Sequence, residues 1–294
     1  MKRDGKLTKF GFFNVDKPSG IVSSTVVNKC KWLSGLPCGH MGTLDPLASG
    51  VLPVGVGNAT RLFDYFLNKQ KEYIAEFTFG VTSDTLDSTG EMIYGGEIPG
   101  EEQIRSILPK FIGELMQIPP KYSAKNVNGK RGYDLARAGV EFTLPPKKIE
   151  VFHVELLGKS EQTENAFRFQ IRCGGGTYIR SLARDIAAEL GTQAVMSALR
   201  RTQSGAFTLE NAVSFSVFES DPTIEELERY LIPTDKVLPL PTIYASGKEA
   251  DKFLHGLSVN CDETDGLYKL ELNGAFYGVA EVNEGKAKAK IKLC

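Results

Sequence analysis

The sequence predicts an α+β chain, a large body of mixed strands and helices followed by a small β-module. Three observations carry that prediction. The segment Lys71–Phe79 alternates with the two-residue period of a strand, setting Tyr73, Ala75, Phe77 and Phe79 against Glu72, Glu76 and Thr78. Other stretches repeat at helical spacing, as Glu101–Phe111 does through Ile104, Ile107, Leu108 and Phe111. Farther on, Asn273-Gly274 stands between Leu267–Leu272 and Ala275–Val282, the strongest short hairpin signal in the chain. At 294 residues, 41% hydrophobic and 24% charged, the chain has an ordinary globular composition and the length of one large domain plus a smaller one.

Taken in order, Lys9–Val15 reads as a strand that ends in the turn Asp16-Lys17-Pro18-Ser19-Gly20. Ser23 and Ser24 can cap a helix through Leu33, whose Val26, Val27, Cys30 and Leu33 fall at helical spacing. Ala59–Leu67 reads as a helix with Leu62, Phe63, Phe66 and Leu67 as its buried stripe. Two further strands are expected at Ile149–Leu157 and Ala166–Cys173. Ahead of them, residues 121–148 form a weakly patterned connection with a short helical piece near Tyr133–Ala138. That connection holds seven Lys or Arg against two acids. Its composition suits a solvated loop and a basic arm touching RNA phosphate equally well.

The strand Ala166–Cys173 enters Gly174-Gly175-Gly176-Thr177 and then a helix through Leu190, for which Gly191 is a good C-cap. Thr223 and Glu226 make a T-x-x-E capping box for a helix over Ile224–Leu231, and Pro233–Pro241 reads as a linker. Beyond the hairpin, Asn283-Glu284-Gly285 leads to a third strand, Lys286–Leu293. This module is expected to dock on the main body, because so few residues make a marginal core. Its last strand sets Lys286, Lys288, Lys290 and Lys292 on one face, which suits a solvent face, or an edge that lysine guards against aggregation, somewhat better than direct RNA contact.

Several function classes are excluded or disfavoured. No apolar run approaches the roughly 18 residues of a membrane span. The basic start Met1-Lys2-Arg3 leads into no long apolar stretch, so no signal peptide is expected. Five cysteines are scattered without a C-x-x-C pair, which fits reduced thiols in a cytoplasmic protein. The three histidines, at 40, 153 and 255, lack a second ligand at metal spacing, so no zinc site is expected. With a net charge of −1, any nucleic-acid binding must come from local patches.

The stretch Gly39–Leu62 is rich in glycine and small residues and contains a single acid, Asp45, followed at once by Pro46. Pro46 at a first helical position would make Asp45 an N-cap. Alternatively, the glycines admit a ligand close to the backbone, with His40 and Thr43 as polar neighbours of the acid. Pattern alone finds a candidate site here and no reaction.

The string Gly39–Leu52 closely resembles the active-site motif of the bacterial TruB-type tRNA pseudouridine-55 synthases. Asp16-Lys17-Pro18-Ser19-Gly20 with Ser23 is similar to that family's N-terminal motif, and Ile118-Pro119-Pro120-Lys121-Tyr122-Ser123-Ala124 also fits. Arg172–Leu182, through Gly174-Gly175-Gly176-Thr177-Tyr178-Ile179-Arg180, is similar to its strand–glycine–helix motif, and Ala198–Phe207 to a further signature. The matches run in family order over about residues 10–207. Two positions depart from the pattern, Met41 for the usual threonine and Gly175 for a frequent lysine. The second removes a possible phosphate contact.

The resemblance implies the pseudouridine synthase fold, with a large mixed, mainly antiparallel central sheet flanked by helices. It divides the chain into a catalytic domain over 1–238 and an RNA-binding, PUA-like β-module over 239–294. It implies isomerisation of uridine 55 in the T arm of tRNA, with the target base flipped out of its stack. Asp45 would be the carboxylate at C1′, as nucleophile or base, and Arg180 the cation that keeps it ionised in a dry pocket. Tyr73 would stack on the extruded base. Tyr178 and Leu199 would line the pocket, and His40 would occupy space the nucleotide vacates. Lys121, Lys125, Lys130, Arg131, Lys147 and Lys148 are the candidate RNA contacts. No metal or organic cofactor is implied, and a cytoplasmic monomer is expected. Two rivals stand beside this reading. A non-catalytic RNA-binding protein would not need Asp45, Arg180 and Tyr73 together. A nucleotide-binding enzyme is suggested only by Gly174–Gly176, which lacks the G-x-G-x-x-G and G-x-x-x-x-G-K-[ST] patterns.

Overall fold

The computed structural model describes residues 5–122, 140 and 142–293, and the backbone of 126–127 and 130–131. Two compact units divide the chain. One comprises Met1–Leu44, Val51–Phe66 and Ala206–Cys294, the other Asp45–Gly50 and Leu67–Gly205.

The second unit is built on a sheet in the order Gly113–Gln117, Lys147–Lys159, Ala166–Cys173, Lys71–Phe79, Ala194–Ser204. All of these neighbours are antiparallel, and Ser49 and Gly50 add a parallel pairing with Arg200 and Arg201. Lys71–Phe79 buries the residues its alternation assigned to the core, with Phe77 and Phe169 packed as diagonal neighbours at 4.7 Å between ring centroids. The helix Ile179–Glu189 packs on the Ala194–Ser204 strand and buries Leu182, Ala183, Ile186 and Ala187. It ends, as expected, at Gly191, which has φ of 71°. The sequence predicts one helix over Glu101–Phe111. The α-helix stops at Ile107 instead and a 3-10 turn covers Leu108–Phe111, because Pro109 has no N–H with which to continue the ladder.

The long Ala194–Ser204 strand escapes the alternation test. Ala194, Val195 and Met196 are all buried, and the register slips between Met196 and Ala198 and again between Arg201 and Gln203. Ser49–Val56 is likewise buried almost throughout, which hides the two-residue period.

In the first unit, Gly11–Lys17 pairs in parallel with Val213–Ser214 and lies beside the Ser49–Val56 strand, which also carries Cys38–His40. The helix Ser23–Ser34 forms without the serine cap the sequence suggests. Val22 is its N-cap residue, and the buried Ser23 hydroxyl instead donates to Leu44 O at 2.8 Å and accepts from Leu44 N at 2.9 Å. Ala59–Leu67 splits into a 3-10 segment, Gly57–Leu62, and an α-turn, Phe63–Leu67. Thr60 Oγ1 donates back to Gly57 O there, favouring the tighter winding. The T-x-x-E capping box forms as expected, Glu226 N donating to Thr223 Oγ1 and Thr223 N to Glu226 Oε2.

The rings of Phe12, Phe66 and Phe207 meet pairwise at 5.0–5.4 Å and centre the core of this unit. Val279 and Leu293 complete that core, so the small β-module docks as expected. Arg61 reinforces the docking by donating to Lys292 O at 2.8 Å. The module is a five-stranded sheet with the helix Gly247–Leu254 and a core of its own around Phe253, Tyr268, Leu270 and Val282. Asn273 and Gly274 take φ of 50° and 80°, the type I′ turn their pair predicts. All four lysines of Lys286–Lys292 are exposed, with Lys290 paired to Glu281 at 2.6 Å.

Candidate active site

Asp45 opens the short segment that the second unit takes from the glycine-rich stretch. No helix follows Pro46. The chain makes a turn in which Ala48 N donates to Asp45 O at 3.0 Å, then enters the strand at Ser49. Asp45 is therefore not a helix cap. The close of the turn demands glycine at position 50, where φ is 101° and a Cβ would lie 2.2 Å from Arg201 O.

The Asp45 carboxylate meets Arg180, Oδ2 to Nη2, at 3.0 Å. Arg180 sits in the first turn of the Ile179–Glu189 helix and turns its guanidinium inward. Its other amino group reaches Asp87 Oδ2 at 3.4 Å, and the two nitrogens donate to Thr85 O and Tyr122 O, each at 3.0 Å. Asp87 is locked in turn, its Oδ1 accepting from Thr85 Oγ1 at 2.8 Å and Thr89 N at 3.0 Å. The side chains of Arg180 and Asp87 are 8% and 6% exposed, that of Asp45 37%. The buried Arg180–Asp87 pair thus forms a fixed base, and Asp45 is the member a solvent-borne substrate can reach. A carboxylate so held is aimed by its ion pair, fit to attack or deprotonate an electron-poor carbon.

Tyr73 is buried on the neighbouring strand, directly opposite Arg201 and Ile171. Arg201 is almost wholly buried and its guanidinium is hydrogen-bonded to the Tyr73 hydroxyl. Burial pushes the phenol up to about 12; the Arg201 charge opposes that rise and the Asp45 charge adds to it. Tyr73 therefore feels Asp45 electrostatically and keeps its proton at neutral pH. Leu199 is buried opposite Ala75, one step along the same face of the sheet. Tyr178 is half-buried just before the helix, its peptide clamped by Gln117, whose side-chain amide donates to Tyr178 O and accepts from Tyr178 N at 3.1 and 2.9 Å.

The structure thus brings Asp45, Arg180 and Tyr73 into one electrostatic group, with Leu199 on the strand that carries Arg201. His40 belongs to the first unit, half-buried opposite Val54. Among the basic residues, Lys121, Lys147 and Lys148 are exposed, and Lys148 pairs with Glu114 at 2.7 Å. Lys130 and Arg131 form a short strand against Asn126–Val127, while Lys125 and the helical piece near Tyr133–Ala138 lie outside the described residues. Sequence reasoning missed Asp87, Arg201 and Lys71. Asp87 offered only a polar turn, Ser83-Asp84-Thr85-Leu86-Asp87-Ser88-Thr89, as a signal. Among the described residues no group of three or more His, Cys, Asp or Glu could hold a metal, and no helix is long and apolar enough to cross a membrane.

Solved structures share this fold. A chain of a Cbf5–Nop10–Gar1 complex is 28% identical, with a TM-score of 0.68 over 93% of this chain and 78% of that one. Residues 31–179 match the model of the TruB family pseudouridylate synthase N-terminal domain, and 180–239 that of the tRNA pseudouridylate synthase B C-terminal domain. Asp45 and Tyr73 fall in the first match, and Arg180 opens the second. Fold and sequence together make the molecule a pseudouridine synthase, an isomerase. The tRNA pseudouridine synthase B of Acaryochloris marina is 38% identical over 96% of this chain and 98% of its own, and that of Syntrophomonas wolfei 37% identical over 97% of each. The chain belongs to the TruB family.

Proposed function

We propose that the protein isomerises uridine 55 in the T arm of tRNA to pseudouridine, and that Asp45 drives the reaction. The observation that carries the reading is the one exposed carboxylate in a buried ionic chain, Asp45–Arg180–Asp87, within the electrostatic reach of Tyr73. Breaking the C1′–N1 bond leaves positive charge at the sugar, and a fixed anion there lowers the barrier without having to reorganise. Arg180 holds that anion in place, and Asp87 keeps Arg180 from swinging toward it or away. The stacked uracil must leave the T loop to reach Asp45. Tyr73 then offers it a ring, and Leu199 and Tyr178 line the space around it. Because Tyr73 retains its proton at neutral pH, its first task is stacking and orientation. Relatives named tRNA pseudouridine synthase B, nearly co-extensive with this chain, support tRNA as the substrate.

The reading extends to a catalytic domain over 1–238 and a PUA-like RNA-binding module over 239–294, acting in the cytoplasm as a monomer. The family matches end at residue 239, in keeping with that boundary. Exposed Lys121, Lys147 and Lys148, with Lys125, Lys130 and Arg131, supply the phosphate contacts.

Chemical mapping of pseudouridine in a T-arm RNA after incubation with purified protein tests the proposal. The modification is expected at the T-loop uridine, and Asp45→Asn is expected to abolish it while RNA binding persists. Modification only at other uridines would replace the substrate assignment. Substantial turnover by Asp45→Asn would remove Asp45 from its role.

A further inference from the structure

We propose that Arg201 is a positioning residue of this active site, holding the Tyr73 hydroxyl with its side chain and the end of the Asp45 turn with its backbone. The inference rests on the roles given above to Asp45 and Tyr73, and deepens them.

Arg201 is 1% exposed, and a cation so placed is costly to bury; an apolar side chain of similar volume would fill the position at least as well. Its presence calls for a task that only a cation performs. Three observations define that task. The pairing of Ala194–Ser204 with Lys71–Phe79 sets Arg201 directly opposite Tyr73, on the same face of the sheet. The guanidinium is hydrogen-bonded to the phenol oxygen, and the two groups answer each other, each offsetting part of the other's burial. The N–H groups of Arg201 donate, so the Tyr73 oxygen is the acceptor and the ring is tethered at its hydroxyl. On the opposite side of the strand, the backbone of Arg201 pairs with Gly50, whose missing Cβ would otherwise strike Arg201 O at 2.2 Å. A single residue therefore contacts both the ring that would receive the base and the turn that presents the carboxylate. Displacing it would shift the two relative to one another, which costs rate more than binding.

The test is a double-mutant comparison read in kcat, KM and melting temperature on the full chain. Arg201→Lys is expected to lower kcat for T-arm RNA about tenfold with KM changed less than about twofold, and to have no further effect in a Tyr73→Phe background. An equal proportional loss in both backgrounds, or a loss confined to KM, overturns the proposal. Should Arg201→Lys not fold, the neutral pair Tyr73→Phe/Arg201→Met replaces it. That pair is expected to melt no lower than Tyr73→Phe alone, since the phenol that offsets part of the guanidinium's burial is gone there; a clearly lower melting point overturns the coupling. The melting comparison needs no substrate. A wild-type protein inactive on the RNA would thus discredit the substrate assignment while leaving the Arg201–Tyr73 coupling to be judged by itself.

Discussion

Lys71 lies in the strand of Tyr73, 5% exposed, its ammonium donating to Leu67 O and Lys69 O at 2.8 and 2.9 Å. Burial first, and the nearby Arg201 charge second, lower its pKa to about 8. Unfolded, the same lysine titrates near 10.4, so between these values the unfolded chain binds more protons and stability rises with pH. The gain across that window is about 3 kcal/mol. Cys173 and Tyr73 act in the opposite sense, because burial raises them to about 11 and about 12 and their contribution falls as pH climbs. Comparing urea midpoints of wild type and Lys71→Met from pH 7.5 to 10 separates the lysine from the others. Wild type is expected to gain on the variant steadily over that range; a constant difference would show that Lys71 is not depressed. At this scale the sequence was legible where a residue is singular. Asp45 is the lone acid of a glycine-rich stretch, and the family motif then supplied Arg180 and Tyr73. Asp87 and Arg201 were not legible, because their meaning lies in partners distant in the chain.

At the scale of elements, the turn Gly174–Thr177 leaves no room for a side chain at position 175, where this chain departs from its family pattern. A Cβ there would stand 2.1 Å from Leu67 O and 2.8 Å from Asn68 Cα, both backbone atoms that cannot yield cheaply. Gly175→Ala is therefore expected to lower stability by roughly 1–3 kcal/mol and to displace the start of the Arg180 helix, with a fall in activity larger than the fall in RNA affinity. Calorimetry and a turnover assay on the variant check this; unchanged melting would mean that the close approach relaxes freely. Elements with a clean period or a cap were readable in advance, among them Lys71–Phe79, Ala166–Cys173, the Thr223–Glu226 box and the Asn273-Gly274 hairpin. Those buried on both faces or broken by register shifts, Ser49–Val56 and Ala194–Ser204, gave no period to read. Serine at a helix start proved ambiguous as well, since Ser23 spends its hydroxyl on Leu44 rather than on its own helix.

At the scale of the molecule, the first unit draws its core from segments far apart in sequence. Phe12, Leu62, Phe207, Val279 and Leu293 belong to one cluster, and Leu293 is fully buried in it. Leu293→Ala is expected to cost about 2–5 kcal/mol, as for any large core residue, although it lies in the small module. Melting followed by both near- and far-ultraviolet dichroism checks this. A loss under 1 kcal/mol, or separate melting of the module, would mean that the module is merely attached. The sequence foresaw the docking from the marginal size of the module. It did not foresee which residues would meet, because contacts across more than two hundred positions leave no local trace.

That discontinuous core bears on how the protein is made. Its amino-terminal strand is synthesised early, yet it cannot be enclosed until Val279 and Leu293 have left the ribosome, so nascent Phe12, Phe66 and Phe207 spend translation partly uncovered. The intervening Leu67–Gly205 stretch can collapse around its own sheet meanwhile, ahead of the outer segments.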